Sequence, residues 1–486
     1  MNHRKFALAL GGSLLMGLGS AASAGELEDI RAELRATQNR VAELEGKQTS
    51  NWIDQRRAEE VKALIREVLS DADTRASLMA DGAVAGHNGK NFYLGSADGS
   101  FLLKLSGGIQ FRYVHNFENT PAVVTTGTAG GNDSDDGGFD VARTKVNLAG
   151  HVTAGRKWDY EVGLALGAEP DTTSGDLEVE DVRVGTALSD QIRIDAGKFK
   201  LAFLREELTS YSRQLAVERS LTNEFFTLNR SEQIQVSYKS DMLLLRAALS
   251  DGANNGAGAG SATGFSAVGA DTTEIAVTAR ADFKFSGDWS QADDFSAWSG
   301  QPTGIFAGAA IHYELGDGNQ GGAGTIPSHG DYLSWTIDGS LEMNGLGVYA
   351  AVIGGHVDAD TTGVGGANES RDMFGIVTQV SYNINDQIEP FVRADWTDGD
   401  DNAGAGIDST VLTVTFGANY YFAKSHDAKL TLDVMWIVDG PENLVDLAAN
   451  NFGGPSATSN NLQGLSTGDA QGEDSVIVRV QFQLLY

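Results

Sequence analysis

From Phe101 to the C-terminal Tyr486 the chain is written largely in a period of two. In Phe101–Phe117 the odd positions run Phe101, Leu103, Leu105, Gly107, Ile109, Phe111 and Tyr113, while the even ones include Lys104, Ser106, Gln110 and Arg112. Successive side chains of a strand point to opposite faces, so one face is apolar and the other polar and charged. Similar segments recur near 139–153, 156–168, 177–188, 190–199, 231–240, 242–250, 271–285, 304–315, 331–343, 346–357, 370–383, 388–398, 410–422, 429–438 and 474–486, sixteen in all. Short links such as Ser189-Asp190, Ser240-Asp241, Asn344-Gly345 and Asn385–Gln387 take turns with long Gly/Asp/Thr-rich ones at 118–138, 251–270, 316–330, 358–369 and 439–473. A soluble sandwich has no reason to segregate loop lengths. An all-β, sixteen-stranded antiparallel transmembrane barrel does, with short turns at one rim and long loops at the other. One link, 286–303, is long where the pattern calls for a short one.

The apolar faces carry aromatic residues near their ends, as in Trp158, Tyr160, Val162, Leu164 and Leu166, or Leu412, Val414, Phe416, Tyr420 and Phe422. This fits the aromatic girdles of a barrel in lipid. The last segment alternates Val476, Val478, Val480, Phe482, Leu484 and Tyr486 with Arg479, Gln481 and Gln483. Phe482, Leu484 and Tyr486 resemble the terminal insertion signal read by the barrel assembly machinery of bacterial outer membranes, although the usual last residue there is Phe. Such a barrel must close, because an open strand edge in lipid leaves amides unsatisfied at several kcal/mol each.

Residues 1–24 read as an export signal: Arg4 and Lys5, an apolar core from Phe6 to Gly19, then Ala22-Ser23-Ala24 as the cleavage site. Residues 25–81 form a helical segment, with Leu27, Ile30, Leu34, Thr37, Val41 and Leu44 in the a/d rhythm of a short coiled coil. Two readings of that segment stay open, a periplasmic trimerisation stalk or tether, and a lone helix. The barrel is assigned to 82–486. The chain has no cysteine, which fits an oxidising compartment. Its net charge of −31 argues against nucleic-acid partners, since phosphate backbones reward clustered Lys and Arg.

Between the fifth and sixth segments, residues 200–230 contain no glycine and many apolar residues, so this link can fold into a packed structure. It carries Lys200, Arg205, Arg213, Arg219 and Arg230 against Glu206, Glu207, Glu218 and Glu224. The stretch Gly197–Lys200 (GKFK), EELTS at Glu206–Ser210, and ERS at Glu218–Ser220 with Arg230 following resemble the phosphate-selective porin O and P family. RTKVNLAG from Arg143, WDY at Trp158 and LEVEDVRVG from Leu177 resemble its flanking strands. The likeness is best over Leu103–Tyr238. It implies a water-filled, trimeric diffusion channel for small hydrophilic solutes or ions, in the outer membrane and against lipopolysaccharide, with anions such as phosphate among the candidates. The family's Pro-Phe-Gly after GKFK is Ala202-Phe203-Leu204 here, a departure that implies a different local backbone.

On this reading Arg205, Glu206, Glu207, Arg213, Glu218, Arg219 and Arg230 form the constriction. Strand phase turns Lys104, Arg112, Arg143, Lys145, Arg193, Arg246, Arg280 and Arg393 into the lumen. It also turns in Asp159, Glu161, Asp195, Glu274, Asp338, Glu342, Asp395 and Asp433. Mixed lumenal charge is how general porins orient dipolar solutes, and each inward Arg has an ion-pair partner as its plainer role. Asp133–Asp136 and Asp398–Asp401 have calcium-like spacing without the full twelve-residue loop, and read as solvated loops. His151 and His312 face inward with no nucleophile assignable beside them, so neither a cofactor nor an enzyme is expected. The alternative function is a structural or adhesive barrel tethered through its N-terminal helix.

Overall fold

The computed structural model describes residues 32–40, 82–88, 91–117, 136–166, 177–253, 273–316, 331–358, 370–399, 410–440 and 474–486. The chain divides into two units, Met1–Asp81 and Gly82–Tyr486. Of the first, residues 32–40 are helical and exposed; the export signal and the rest of the coiled-coil reading lie outside the described residues. So do the Asp133–Asp135 and Asp400-Asp401 parts of the two calcium-like stretches.

The second unit begins with a small hairpin, β1 (Ala83–His87) and β2 (Phe92–Ser96). There follow β3 (Phe101–Phe117), β4 (Asp136–Ala154), β5 (Arg156–Leu166), β6 (Leu177–Ala187), β7 (Ile192–Lys200), β8 (Arg230–Lys239), β9 (Leu243–Ser250) and β10 (Thr273–Ser286). The remainder are β11 (Gly304–Gly316), β12 (Tyr332–Met343), β13 (Leu346–Val357), β14 (Arg371–Tyr382), β15 (Ile388–Asp398), β16 (Thr410–Tyr421), β17 (Ala428–Asp439) and β18 (Val476–Leu485). From β3 onward each strand pairs antiparallel with the next, and β18 returns to β3 from Val476↔Phe117 to Leu485↔Gly108. The sixteen alternating segments are thus the sixteen strands of a closed barrel. Closure ends on the reciprocal backbone pair Gly107 N to Tyr486 O (2.8 Å) and Tyr486 N to Gly107 O (3.0 Å). Below that point β3 has lost its partner, and β2 takes over from Leu102 to Leu105. The hairpin escapes sequence reading because five-residue runs such as AVAGH carry little periodicity.

Outward positions are the apolar ones. Ile109, Phe111, Ile305, Ile311, Val392, Phe416 and Leu432 are all exposed, the surface a barrel offers to lipid. Inward positions are polar and mostly buried, the reverse of a soluble protein. Turn chemistry closes the short links: Asn344 and Gly345 both take positive φ (49° and 88°), the two-residue hairpin turn that Asn-Gly favours. Phase fails at one predicted inward residue. A register shift between Thr273 and Ile275 leaves Glu274 outside the pairing and exposed.

Gly150 on β4 leaves no room for a side chain: a Cβ there would sit 1.7 Å from the Leu102 carbonyl oxygen and 3.0 Å from the Tyr160 hydroxyl, which itself donates to that carbonyl. Gly150→Val is expected to cost about 3 kcal/mol or more. The check is loss of the heat-modifiable folded band on an unboiled detergent gel.

Candidate functional site

Residues 201–229 fold back into the barrel. Arg205–Leu208 makes one helical turn, Tyr211–Arg213 a 3-10 turn, and Leu221–Phe226 a short helix capped by Ser220 Oγ, which accepts from Asn223 N at 3.0 Å. Its apolar residues, including Leu201, Phe203, Leu204, Leu221 and Phe226, pack on inward Ala310, Tyr332, Ile353, Met373, Val411, Met435, Ile437 and Ile477. Ala202-Phe203-Leu204 is therefore core, buried to 3% exposure or less. A glycine-free apolar sequence suits this role, because it has side chains to bury and loses less entropy on ordering.

The wall from β15 to β18 satisfies the loop's backbone. Arg393 donates to the carbonyls of Glu218 (2.9 Å) and Arg219 (3.1 Å), Lys429 to Gln214 (2.8 Å), Asn419 to Leu215 (3.0 Å) and Gln483 to Ser212 (3.0 Å). Asp433 accepts from Val217 N at 2.8 Å while Arg479 holds its other oxygen at 2.8 Å. Buried backbone must find partners, and here charged and amide-bearing wall residues supply them. Asp395 accepts from Thr222 N at 3.3 Å, so Arg393, Asp395 and Asp433, inward as phase requires, are clamps on the loop.

The loop's other side meets β3–β8 in a run of ion pairs. Glu218 binds Arg112 and Arg143, each at 2.6 Å. Glu180 binds Lys145 (2.6 Å) and Arg230 (3.6 Å), and Asp181 also binds Arg230 (3.0 Å). Glu207 binds Lys200 (2.6 Å) and Arg219 (3.3 Å). Tyr211 lies under Lys145 (5.2 Å) and Arg143 (6.0 Å) as a cation–π platform. Nearer the short-turn rim Arg183 pairs with Glu161 (2.5 Å), and Arg193 with Asp159 (2.6 Å) and Asp195 (2.8 Å). Arg246 pairs with Asp282 at 2.6 Å, and Lys104 is inward and half-buried.

The structure thus brings Glu207, Glu218, Arg219 and Arg230 into one charged cluster with Arg112, Arg143 and Lys145. It sets the other three apart. Glu206 is fully enclosed, accepting from Ser220 N (2.8 Å) and Oγ (2.6 Å). Arg205 is 6% exposed, bonded to Ser340 Oγ and ringed by Phe295, Phe306 and Tyr349 at 5.6–5.8 Å. Its guanidinium packs against aromatic faces instead of facing open water. Arg213 is more open and reaches Asp293 at 3.9 Å. Sequence reading missed Glu180, Asp181, Arg183 and Tyr211. The register shift between Gly163 and Leu164, opposite β6, lets both Glu180 and Asp181 reach lumenal cations, which strict alternation forbids.

Charge states in the loop follow from these contacts. Against the cost of burial, Arg143 and Arg112 hold the Glu218 carboxyl down at about 2. Glu224 has the opposite balance: burial and the neighbouring Glu207 push it up to about 7.

A closed sixteen-stranded barrel with an apolar exterior and a charged, loop-narrowed interior defines a porin, a passive channel of the outer membrane. Residues 124–437 match the family described as phosphate-selective porin O and P, and the chain belongs to that family. Among solved structures it is similar to an anion-selective porin from Comamonas acidovorans (TM-score 0.52, 11% identity, covering 79% of this chain and 100% of that one). It is also similar to Vibrio cholerae OmpT in its trimer form (0.49, 12%, 80% and 100%) and to Salmonella typhi OmpF (0.49, 13%, 83% and 100%). No curated protein matches the sequence.

Arg393→Ala removes the clamp on two loop carbonyls and leaves Glu206 without its cation. Breaking a buried pair from one side costs about 3–5 kcal/mol. The loop is expected to loosen within an intact barrel, giving noisier single-channel currents while the far-ultraviolet circular dichroism stays β-type.

Proposed function

We propose that the protein is a weakly selective diffusion channel for small hydrophilic solutes, narrowed by residues 200–230 and sorting its traffic by size and a transverse field. What carries this reading is the pairing of lumenal charges: Arg143, Lys145, Lys200, Arg219 and Arg230 each lie within 3.6 Å of a carboxylate. A phosphate-selective site needs cations in excess, since rings of one charge set pore selectivity. The family likeness favours anions as the second reading, and Lys157, Arg183 and Arg193, open cations on β5–β7, are where an anion would first find a donor.

The remaining assignments belong to the same proposal. The mature protein starts near Gly25, its short-turn rim and helical N-terminus face the periplasm, and its long loops meet lipopolysaccharide. It assembles as a homotrimer after insertion through its terminal Phe482, Leu484 and Tyr486. A detergent-extracted mass of one chain would count against the trimer.

Planar-bilayer recording tests the channel reading. A reversal potential in a KCl gradient is expected to give a permeability ratio within about threefold of unity, with millimolar phosphate leaving chloride current unblocked. Strong anion preference with phosphate block would establish the second reading instead. The Glu224 carboxyl is neutral below about 7 and ionised above it. Cation preference is therefore expected to rise as pH passes from 6 to 8, and Glu224→Gln to abolish that drift.

A further inference from the structure

The link that broke the pattern of short turns, between β10 and β11, folds into the barrel from the short-turn rim. Residues 289–293 form a 3-10 turn whose capping box uses Asp288 and Gln291. Beyond it Phe295, Ser296, Ala297 and Trp298 are 5%, 0%, 2% and 7% exposed, unusual for a solvent-side turn. Their partners lie on the inner wall and turns from β12 to β17. Gln291 donates to Glu342 (3.0 Å), and Ser296 Oγ donates to Glu389 (2.9 Å) and lies 2.9 Å from the Tyr421 hydroxyl. Trp298 packs edge-on to Tyr421 and His426, Phe295 lies against Tyr349, and Ser299 donates to Asp386.

This turn also meets the long loop coming from the other rim. Phe295 packs with Leu215 and Ala216, Arg213 pairs with Asp293, and Phe295 is one of the rings around Arg205. The seam between them, lined by Leu215, Asp294, Ser340, Glu342 and Gln379 among others, has space for about one water. Loop and turn together make a continuous column of protein along the β10–β18 side of the lumen. The inner wall there is closed off: the side chains of Arg280, Asp338, Arg393, Asp433 and Arg479 are 1% exposed or less. Across the lumen, on β5–β7, Lys157 is 59% exposed, Arg183 40%, Asp159 37%, Arg193 32% and Glu161 30%.

We propose that the turn between β10 and β11 is a second constriction element, which confines the short-turn half of the pore to a slot along β5–β7. Lys157, Asp159, Glu161, Arg183 and Arg193 are then the selectivity-determining residues of that half. The proposal rests on the channel reading above and adds where within the barrel solute travels. In it Arg205 is a positioning residue, joining loop to turn through its aromatic cage.

The absence of cysteine makes accessibility the direct test, since each introduced thiol is the only one. Arg183→Cys stands on the open wall, and Ser381→Cys beneath the turn, where Ser381 is 1% exposed and bonded to Glu389. A charged methanethiosulfonate reagent is expected to modify position 183 at least about tenfold faster than 381, and to change the current only at 183. Replacing residues 289–301 by a Gly-Ser-Gly link should bring the two rates within about threefold and raise single-channel conductance. Equal rates in the intact protein overturn the proposal, and so does a shortened turn that exposes position 381 without changing conductance. Should the shortened variant fail to fold, the two rates in the intact protein still decide. An intact protein that carries no current at all overturns the channel reading itself, whichever thiol reacts.

Discussion

The backbone pairing of β18 with β3 is the constraint on which the rest depends. In lipid each unpaired amide costs several kcal/mol, so the first and last strands must meet along the depth of the membrane, and they do so from Phe117 down to Gly107. Closure fixes the strand number, and the strand number fixes the bore. Sixteen strands enclose a tube too wide for wall side chains to fill, whereas eight leave an interior that they can. A wide polar tube is a channel by default, and what it admits is set by whatever the chain sends back into it.

That second problem is solved with buried charge. A loop crossing the lumen presents carbonyls and amides that sheet pairing cannot reach. Arg393, Lys429 and Asp433, reaching in from the wall, satisfy them one by one. A buried charge is costly unless paired and hydrogen-bonded, so these wall residues hold the loop in one position. The aromatic cage of Arg205 extends the same logic to the turn at the other rim. The interior is rigid on one side and open on the other for the same reason: one wall is spent on anchoring.

The strands were legible because a period of two is a local property, and every alternating segment lies within a few residues of the strand it predicted. Family membership was legible in GKFK, EELTS and ERS. The site was legible only in part, since strand phase says which way Arg393 or Asp433 points and nothing about what it meets. Their partners lie about 175 and 216 residues away. Arg205 shows the limit most plainly: its sequence neighbours Glu206 and Glu207 suggest a charged rim, yet three rings from distant segments enclose it. The inward turn did leave a signal, for Phe295 and Trp298 are apolar aromatics in a link where solvent-side residues were expected.

The net charge of −31 acquires a narrower meaning from this arrangement. Arg112, Arg143, Lys145, Arg183, Arg193 and Arg230 are each matched at close range by a carboxylate on a neighbouring strand or on the loop. Paired charges a few ångströms apart leave a field that is strong across the lumen and weak along it, and in saline it decays within about 8–10 Å. A solute in the proposed slot would therefore meet local dipoles, with Arg183 and Glu161 side by side, and the charge of the whole protein would contribute little at that distance. Selectivity then depends on which partner of each pair is the more exposed. At Arg183 over Glu161 that balance favours the cation, 40% against 30%, whereas at Arg193 and Asp159 it tips slightly the other way, 32% against 37%. On the channel reading proposed above, such near-equality goes with a pore that orients what passes through it and discriminates weakly by sign.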